Sequence, residues 1–368
     1  MPPSSVGVPT PCREGRPGLP RTDGSARQGT PGSITGVAST RKPGMFQDRV
    51  TYVVIPRYPL TDFIFDGLGA REDIVLIEHP MPPRGRFGSL IRFLEVLLPW
   101  WKGSSYFNGS YLHELSAIRE HDNVLFFAIE NLKDLKIIRK FIRARCQSVW
   151  LWNPVGAFRR HKVSRYFYHF WLRRTGLKAF TFNPADVRSD TIGLANQVYR
   201  SVDEIINSAS NDSAHDVYFL GIDKGRLNLL QALKSELEQM GLTTLFRIVP
   251  DKRRRYTDNE RAQLTPGWLP YRDNLRIVQQ SRVLLEILQS TQNGPTIRSM
   301  EAAFFGKKLI TNNRGMRQSP LYHRSRIFIL GEDDMENLKS FVDEDPEPVN
   351  PSILRGHDIE HWIEQFIN

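Results

Sequence analysis

A polar segment at residues 292–301 carries the residue types that could bind a diphosphate. It follows a buried apolar run and leads into a helix predicted to begin at Thr296 or at the proline before it, because proline suits the first helical turn. Gly294 permits close approach of the backbone, and the first amides of a helix attract anions. Arg298 could add a positive charge, and Glu301, one turn later, could accept hydrogen bonds from ribose hydroxyls. The alternative is an ordinary strand–helix–strand unit with a threonine cap and a solvated Arg–Glu face.

A second glycine-containing turn, at residues 221–226, has similar chemistry. Gly221 allows a tight turn after a strand, and Lys224 and Arg226 supply positive charge. The turn could contact a phosphate group. Glycine and lysine also occur in ordinary turns after strands, so this pattern is less specific than the first.

Alternating strands and helices must position these loops. Short, continuous apolar runs suit strands buried on both faces of a parallel sheet, and helical patterns such as 131–143 lie between them. The predicted strands are 49–56, 73–80, 123–128, 148–152 and 178–182 in the first half, and 217–220, 243–249, 282–287, 308–311 and 327–330 in the second. The fold class is therefore α/β, with two Rossmann-like doubly wound domains and a cleft between them.

The length of 368 residues also suggests two domains. A tail rich in Pro, Gly, Ser and Arg over 1–44 cannot bury enough surface to fold, so we expect it to be disordered. We predict a first α/β domain over 45–200, a polar linker over 201–215 and a second α/β domain over 216–345. A final helix within 346–368 could pack back on the first domain.

The stretch at residues 289–311 resembles the C-terminal donor site of GT-B glycosyltransferases. In that group a glycine-containing loop, a helix with a Glu-Ala pair, a glycine and a strand bind the nucleotide diphosphate and ribose. Glu301-Ala302 matches the pair, and residues 306–310 match the exit into the strand. Retaining members often carry a second glutamate eight residues before the first, where this chain has Asn293. The resemblance therefore leaves the stereochemistry open.

The segment also resembles bacterial proteins of lipopolysaccharide or capsular polysaccharide biosynthesis, over about residues 175–330. The matching positions are Gln292, Gly294, Thr296, Arg298, Glu301, Ala302, 306–313, 218–226 and 181–186.

These resemblances imply a glycosyltransferase with a nucleotide sugar donor and a saccharide or lipid-linked acceptor. In such an enzyme residues 45–200 would be the acceptor-side domain and residues 216–345 the nucleotide-sugar-binding domain. Tyr271, before a predicted helix, would stack on the base, although it could equally be a core aromatic. The Gly294–Thr296 amides, Arg298, Lys224 and Arg226 would neutralise the leaving diphosphate. With these cations we expect no metal and no cofactor.

The catalytic base should lie in the first domain, facing the cleft. His79 ends the second predicted strand, where sites in α/β sheets form. Asp66, His113 and Asp186 are competing candidates, and a histidine at a strand end can also be purely structural.

Residues 343–345 formally match a D-x-D metal motif. They lie in a proline-rich acidic stretch beyond the last predicted strand, which favours a solvated loop.

Two aromatic-basic stretches, 90–102 and 159–174, fall in the acceptor-side half. Tryptophan and tyrosine beside lysine and arginine suit a bilayer interface. The net charge of +10 would attract an anionic membrane, nucleic acid or a phosphorylated substrate, and it does not choose among them. A core helix with a basic outer face is the alternative. The sequence contains no RNA-binding motif, so we expect no nucleic-acid partner. Without a membrane-spanning or signal-like apolar stretch, we expect a cytoplasmic protein, peripheral at the inner face of the cell membrane.

Three rival functions stay open at this point. A related transferase could move a phospho-polyol on the same scaffold. A non-catalytic protein could bind nucleotides in the same pocket, and the positive charge alone would allow a nucleic-acid-binding protein.

Overall fold

The computed structural model describes residues 49–80, 107–158, 162–188, 190–201, 214–267, 269–288 and 292–367. The tail predicted over 1–44, the stretch 90–102 and most of the linker predicted over 201–215 lie outside these ranges.

The first sheet has six parallel strands in the order β2-β1-β3-β4-β5-β6. The central strands carry bulky apolar side chains on both faces, which is why they are buried from both sides. The strands are β1 (Thr51–Pro56), β2 (Ile74–His79), β3 (Asn123–Phe127), β4 (Cys146–Leu151), β5 (Lys178–Thr181) and β6 (Ile192–Leu194).

Helices connect these strands. Asn108 and Asn131 cap two of them by accepting a backbone amide. The helices are α1 (Pro59–Phe65), α2 (Gly109–Ser116), α3 (Leu132–Ile138), α4 (Val155–Phe158) and α5 (Lys162–Thr175), with 3-10 turns at Asp66–Leu68 and Pro184–Asp186.

The second sheet has five parallel strands in the order β11-β10-β9-β7-β8. The strands are β7 (His215–Ile222), β8 (Thr244–Val249), β9 (Ser281–Glu286), β10 (Lys308–Thr311) and β11 (Ile327–Ile329). Apolar side chains from both faces of this sheet enter two separate clusters, so helices cover each face.

The helices of the second half follow the same alternation. They are α6 (Leu227–Gln239), α7 (Asp258–Ala262), α8 (Tyr271–Gln279), α9 (Ile297–Phe304), α10 (Leu338–Asp343), α11 (Pro351–Arg355) and α12 (Ile359–Trp362), with 3-10 turns at Arg314–Gln318, Met335–Asn337 and Ile363–Phe366.

The C-terminal end of the chain returns to the first sheet. Trp362 is fully buried and meets Trp150 edge-on at 5.4 Å between ring centroids, and Phe366 meets Phe180 at 5.3 Å. These contacts place the last helix in the core of the first domain, so the chain crosses between the two sheets twice.

The order of strands reverses once in each sheet, between β1 and β3 and between β7 and β9. Ligands in open α/β sheets bind outside the carboxyl ends of strands at such reversal points. Ligand-binding residues are therefore expected in the loops after β1, β3, β7 and β9.

Over the described ranges, no helix is long and apolar enough to cross a bilayer.

Candidate functional site

The turn at residues 221–226 lies at the reversal point of the second sheet, directly after β7. Lys224 and Gly225 both have positive φ angles, 46° and 82°. Glycine takes this conformation readily, whereas lysine rarely does, so the turn holds Lys224 in a strained backbone position. Its side chain is exposed at the edge of the sheet.

Arg226 joins the ends of the two strands that flank the reversal point. Its guanidinium donates to the backbone carbonyls of Ile222 and Asp223, after β7, and of Ile287, after β9. A phosphate contact by Arg226 would require some of these bonds to be exchanged, and that role stays a prediction.

Asp223, which the sequence did not single out, is fully buried beside this turn. Its carboxylate accepts bonds from Arg254 Nη1 and Tyr256 Oη, both at 2.9 Å, and from the amide of Leu227 at the start of α6. Burial alone would raise the pKa of Asp223, but these donors outweigh burial and lower it. The carboxylate thus stays ionised and fixes the turn.

Thr296 caps α9, and the helix begins where the sequence predicted. Its hydroxyl accepts the amides of Arg298 at 3.0 Å and of Ser299 at 3.4 Å, and Ser299 Oγ accepts the amide of Thr296 at 3.2 Å. The capping box therefore already uses the amide of Thr296, one of those that the sequence suggested for a diphosphate, as well as the amides of Arg298 and Ser299.

Glu286, the last residue of β9, holds this cap through its carboxylate. Its carboxylate accepts hydroxyl bonds from Thr296, from Ser299 at 3.2 Å and from Thr311 at 2.7 Å. Burial raises the pKa of Glu286 above its ordinary value despite these donors. Glu286 was not predicted as a site residue, because a glutamate at the end of an apolar run looks like an ordinary strand terminus.

Glu301 and Arg298 form a buried ion pair on α9, with 2% and 13% of their side chains exposed. Glu301 Oε1 also accepts Tyr271 Oη and Asn274 Nδ2, each at 3.0 Å, and Arg298 donates to the carbonyl of Leu220 at 3.2 Å. Burial opposes the charge of Arg298, but Glu301 prevails and raises the pKa of the guanidinium. Contact of Glu301 with ribose, which stays a prediction, would require one of its donors to move.

Tyr271 extends this network to the segment that links the domains. Its hydroxyl lies 2.7 Å from that of Tyr199, and its ring packs against Phe63 of α1 at 5.0 Å. Burial raises the pKa of both tyrosines well above the ordinary value. Stacking of Tyr271 on a base stays a prediction, since one neighbour of its ring is already a phenylalanine.

The Gly294 loop docks directly on the first domain. The amides of Asn293 and Gly294 converge on Oδ1 of the fully buried Asn183 at 3.0 and 3.3 Å. A Cβ on Gly294 would lie 2.2 Å from the carbonyl oxygen of Phe182, so only glycine fits at this approach. Two amides that converge on one oxygen form the geometry that binds a phosphate oxygen.

Gln292, the remaining predicted donor residue, lies at the start of this loop and is partly buried. The loop is also held from its other side, because Asn313 Nδ2 donates to the carbonyl of Gly294 at 3.1 Å.

The reversal point of the first sheet carries a carboxylate that the sequence did not predict. Ala128, directly after β3, has a φ angle of +58°, which is unusual for alanine. Two residues later, Glu130 accepts the side-chain amide of Asn153 at 3.0 Å and also its backbone amide. Burial and the charge of Glu130 raise the pKa of Tyr58, after β1. An alanine in a sequence does not indicate a positive φ angle, so sequence analysis did not identify this region.

Asp186, one of the predicted candidates for the base, connects this edge to the Gly294 loop. Its Oδ2 accepts the amide of Val155 at 2.8 Å and Nδ2 of Asn183 at 2.8 Å, and Asn183 binds the Gly294 loop. A chain of hydrogen bonds thus runs from the first domain into the second.

The structure does not favour His79 as the catalytic base. His79 is 6% exposed, and its Nδ1 lies 2.9 Å from the hydroxyl of Tyr111 within an aromatic cluster. It ends the outermost strand, and four strand spacings of about 4.8 Å place it about 19 Å from the end of β5.

The structure places the other two candidates as follows. Asp66 pairs with Arg200 at 2.6 Å, and His113 lies in the last turn of α2. Their role as the base stays a prediction.

The acidic residues 343–345 lie at the C-terminal end of α10, with Asp343 as its last residue. Asp343 pairs with Lys339 and, at 3.4 Å, with Arg282, which lies at the start of β9. Across the described ranges, no three His, Cys, Asp or Glu side chains are grouped to hold a metal ion.

Comparisons with known proteins give likeness of fold. No family model matches the chain, and no curated protein matches it. A sucrose-phosphate synthase from Thermosynechococcus elongatus is similar with a TM-score of 0.49 and 10% identity, covering 87% of this chain and 95% of that one. A glycosyltransferase from Rickettsia africae gives 0.42 and 12%, over 87% and 95%. An α-glucosyltransferase solved with UDP-glucose and DNA gives 0.47 and 10%, over 87% and 94%.

The predicted fold class is confirmed. The two parallel sheets, each with one reversal of strand order, and the return of the last helix to the first sheet are the architecture of two Rossmann-like domains expected for GT-B.

Proposed function

We propose that the protein is a glycosyltransferase that moves a sugar from a nucleotide diphosphate donor to a saccharide or lipid-linked acceptor. The observation that carries this proposal is the pair of amides at Asn293 and Gly294, which converge on one oxygen at the reversal point of the second sheet. They face the first domain, so a diphosphate bound there would present its sugar to that domain. The assembly of cell-surface polysaccharide or lipopolysaccharide as the pathway follows only from the sequence resemblance.

Each group then has a role that its surroundings permit. The two amides and the exposed Lys224 would neutralise the leaving diphosphate, where negative charge develops in the transition state. Asn183 would leave the amides when the diphosphate arrives. The Arg298–Glu301 pair would hold α9 in place, and Tyr271 would border the base. Because these groups supply positive charge, the proposal needs no metal.

Glu130 is our proposed base for activating the acceptor hydroxyl. It follows the strained Ala128 at the reversal point of the first sheet, where a ligand is expected. Active sites often store backbone strain of this kind.

The test is a thermal-shift screen of the full chain against UDP, GDP, CDP and CMP and their sugars, with EDTA and with Mg²⁺. A nucleotide at 100 times its dissociation constant should add about 2.7 kcal/mol of stability. We expect Lys224→Ala to weaken binding by about tenfold. The matched control is Lys178→Ala, which removes an exposed lysine at the amino-terminal end of β5 in the first sheet.

The outcomes separate the rival functions. Absence of stabilisation by every nucleotide would overturn the proposal. Stabilisation without transfer or hydrolysis of any nucleotide sugar would favour the non-catalytic binding protein. Turnover of a nucleotide-activated polyol alone would favour the phospho-polyol transferase.

A further inference from the structure

Helix α5 exposes an apolar face. The side chains of Tyr166, Phe167 and Phe170 are 67%, 60% and 42% exposed. The rings are neighbours, with centroids 6.0 Å apart for Tyr166 and Phe167 and 6.5 Å apart for Tyr166 and Phe170. Three exposed aromatic residues in one patch are costly in water and mark an interaction surface.

A cavity of about 290 Å³ opens beside this face. Arg165, Tyr166, His169, Asp186 and Arg188 contribute to its lining. Tyr166 belongs to both features, so the aromatic face and the cavity form one continuous surface.

The cavity has an excess of positive charge. Its two guanidinium groups outnumber the single carboxylate of Asp186, whose Oδ2 is already bound by two amide groups. Burial and Arg188 lower the pKa of His169, so its ring is neutral at pH 7 and can donate a hydrogen bond without adding charge. Guanidinium groups bind phosphate oxygens well.

We propose that this surface binds a lipid with an anionic phosphate head, with the phosphate in the cavity and the hydrocarbon against Tyr166, Phe167 and Phe170. An apolar face next to a small cationic cavity is complementary to an amphiphile with an anionic head. Arg174, whose guanidinium lies 5.5 Å from the ring of Phe170, suits the surface of an anionic bilayer.

The location gives the lipid a place in the reaction. Asp186 lines the cavity and binds Asn183, which binds the Gly294 loop. A lipid phosphate in the cavity would therefore hold an attached saccharide near the proposed donor site. This step rests on the proposed function, and it assigns the acceptor to the lipid-linked class.

The experiment is vesicle co-sedimentation of the full chain without nucleotide. The vesicles are phosphatidylcholine alone, phosphatidylcholine with phosphatidylglycerol, and phosphatidylcholine with a polyprenyl phosphate. We expect at least tenfold tighter binding to both anionic kinds. Phe167→Ser with Phe170→Ser should lose at least tenfold on every vesicle, and Arg165→Ala with Arg188→Ala should lose the preference for the two anionic kinds of vesicle.

Matched controls lie in the second domain. Leu229→Ser removes an apolar side chain that is 53% exposed on α6, and Arg276→Ala removes an exposed arginine on α8. Both should bind vesicles like the wild type, and circular dichroism should show that all variants fold.

Several results would overturn the proposal. Equal binding to all vesicles, equal losses in the phenylalanine and leucine variants, or full competition by inorganic phosphate would each do so. Tighter binding of a single-stranded oligonucleotide than of vesicles would assign the surface to nucleic acid instead. Because the assay contains no nucleotide, its failure is separate from failure of the donor screen, in which Arg165→Ala with Arg188→Ala should behave as wild type.

Discussion

The carboxyl ends of the two sheets differ in how their charged groups are held. At the second sheet, Glu301 and Asp223 are buried, and each accepts bonds from an arginine and from further donors. At the first sheet, Glu130 and Asp186 lie closer to solvent and bind mainly backbone and side-chain amides. The first edge also borders a cavity and an exposed aromatic face.

This difference fits two kinds of ligand. A site whose groups are fixed by a second layer of bonds is preorganised, and it suits one chemical group, such as a diphosphate. An open rim with partly exposed charges accommodates a larger and more variable molecule, as an acceptor would be. The rigid edge should therefore be more sensitive to substitution than the open one.

The largest expected effect tests the rigid edge at Glu301. Glu301→Ala leaves Arg298 buried without its partner, and breaking a buried ion pair in this way costs about 3–5 kcal/mol. Urea unfolding at pH 7 measures the loss. The matched variant at the open edge, Glu130→Ala, should cost less than about 1.5 kcal/mol.

Equal losses in the two variants would contradict the comparison. Glu301→Gln separates charge from shape, because its amide oxygen still accepts from Tyr271 and Asn274 while the pairing with Arg298 is weakened. We expect the free energy of unfolding of Glu301→Gln to lie between those of the wild type and of Glu301→Ala.

The next effect tests the contact between the two edges. Asn183→Ala removes the oxygen that holds the amides of Asn293 and Gly294. Because a nucleotide diphosphate no longer competes with that side chain, we expect its affinity to rise about fivefold, equivalent to about 1 kcal/mol for the lost competition. Isothermal titration calorimetry measures the change.

Asn153→Ala is the control, because Asn153 binds Glu130 and has no hydrogen bond to the Gly294 loop. Weaker nucleotide binding in Asn183→Ala would mean that Asn183 holds the loop in its binding conformation rather than occupying the site.

Much of the fold was predictable because its signals are local. The ten predicted strands all occur, with ends shifted by at most two residues, since continuous apolar runs suit buried parallel strands. Strand β6 was missed because three residues that include Gly193 give little periodicity. Helix α3 ends at Ile138, earlier than predicted, although the apolar pattern continues to Ile142.

For the Gly294 loop, the sequence predicted the local structure but not the contacts. The sequence placed Gly294 and Thr296 between a strand and a helix, where the structure has them. It could not show that Asn183, 111 residues away, binds the amide of Gly294, because that contact depends on how the domains meet. The strain at Ala128 is likewise a property of the folded backbone, and the residue type does not predict it.

The smallest expected effect concerns the pH dependence of Glu286, which anchors the rigid edge. Burial raises its pKa in the folded protein above the ordinary value of 4.5, so the folded state binds this proton more tightly than the unfolded chain. The associated stability is fully present below pH 4.5 and is lost as the pH rises through the folded pKa. Urea unfolding from pH 4 to 8 should therefore show wild type losing stability relative to Glu286→Gln. Relative to Glu260→Gln, wild type should instead gain stability as the pH rises, because bonds from Thr257 lower the pKa of Glu260. A difference between wild type and Glu286→Gln that is constant with pH would mean that the hydroxyl donors offset burial at this carboxylate.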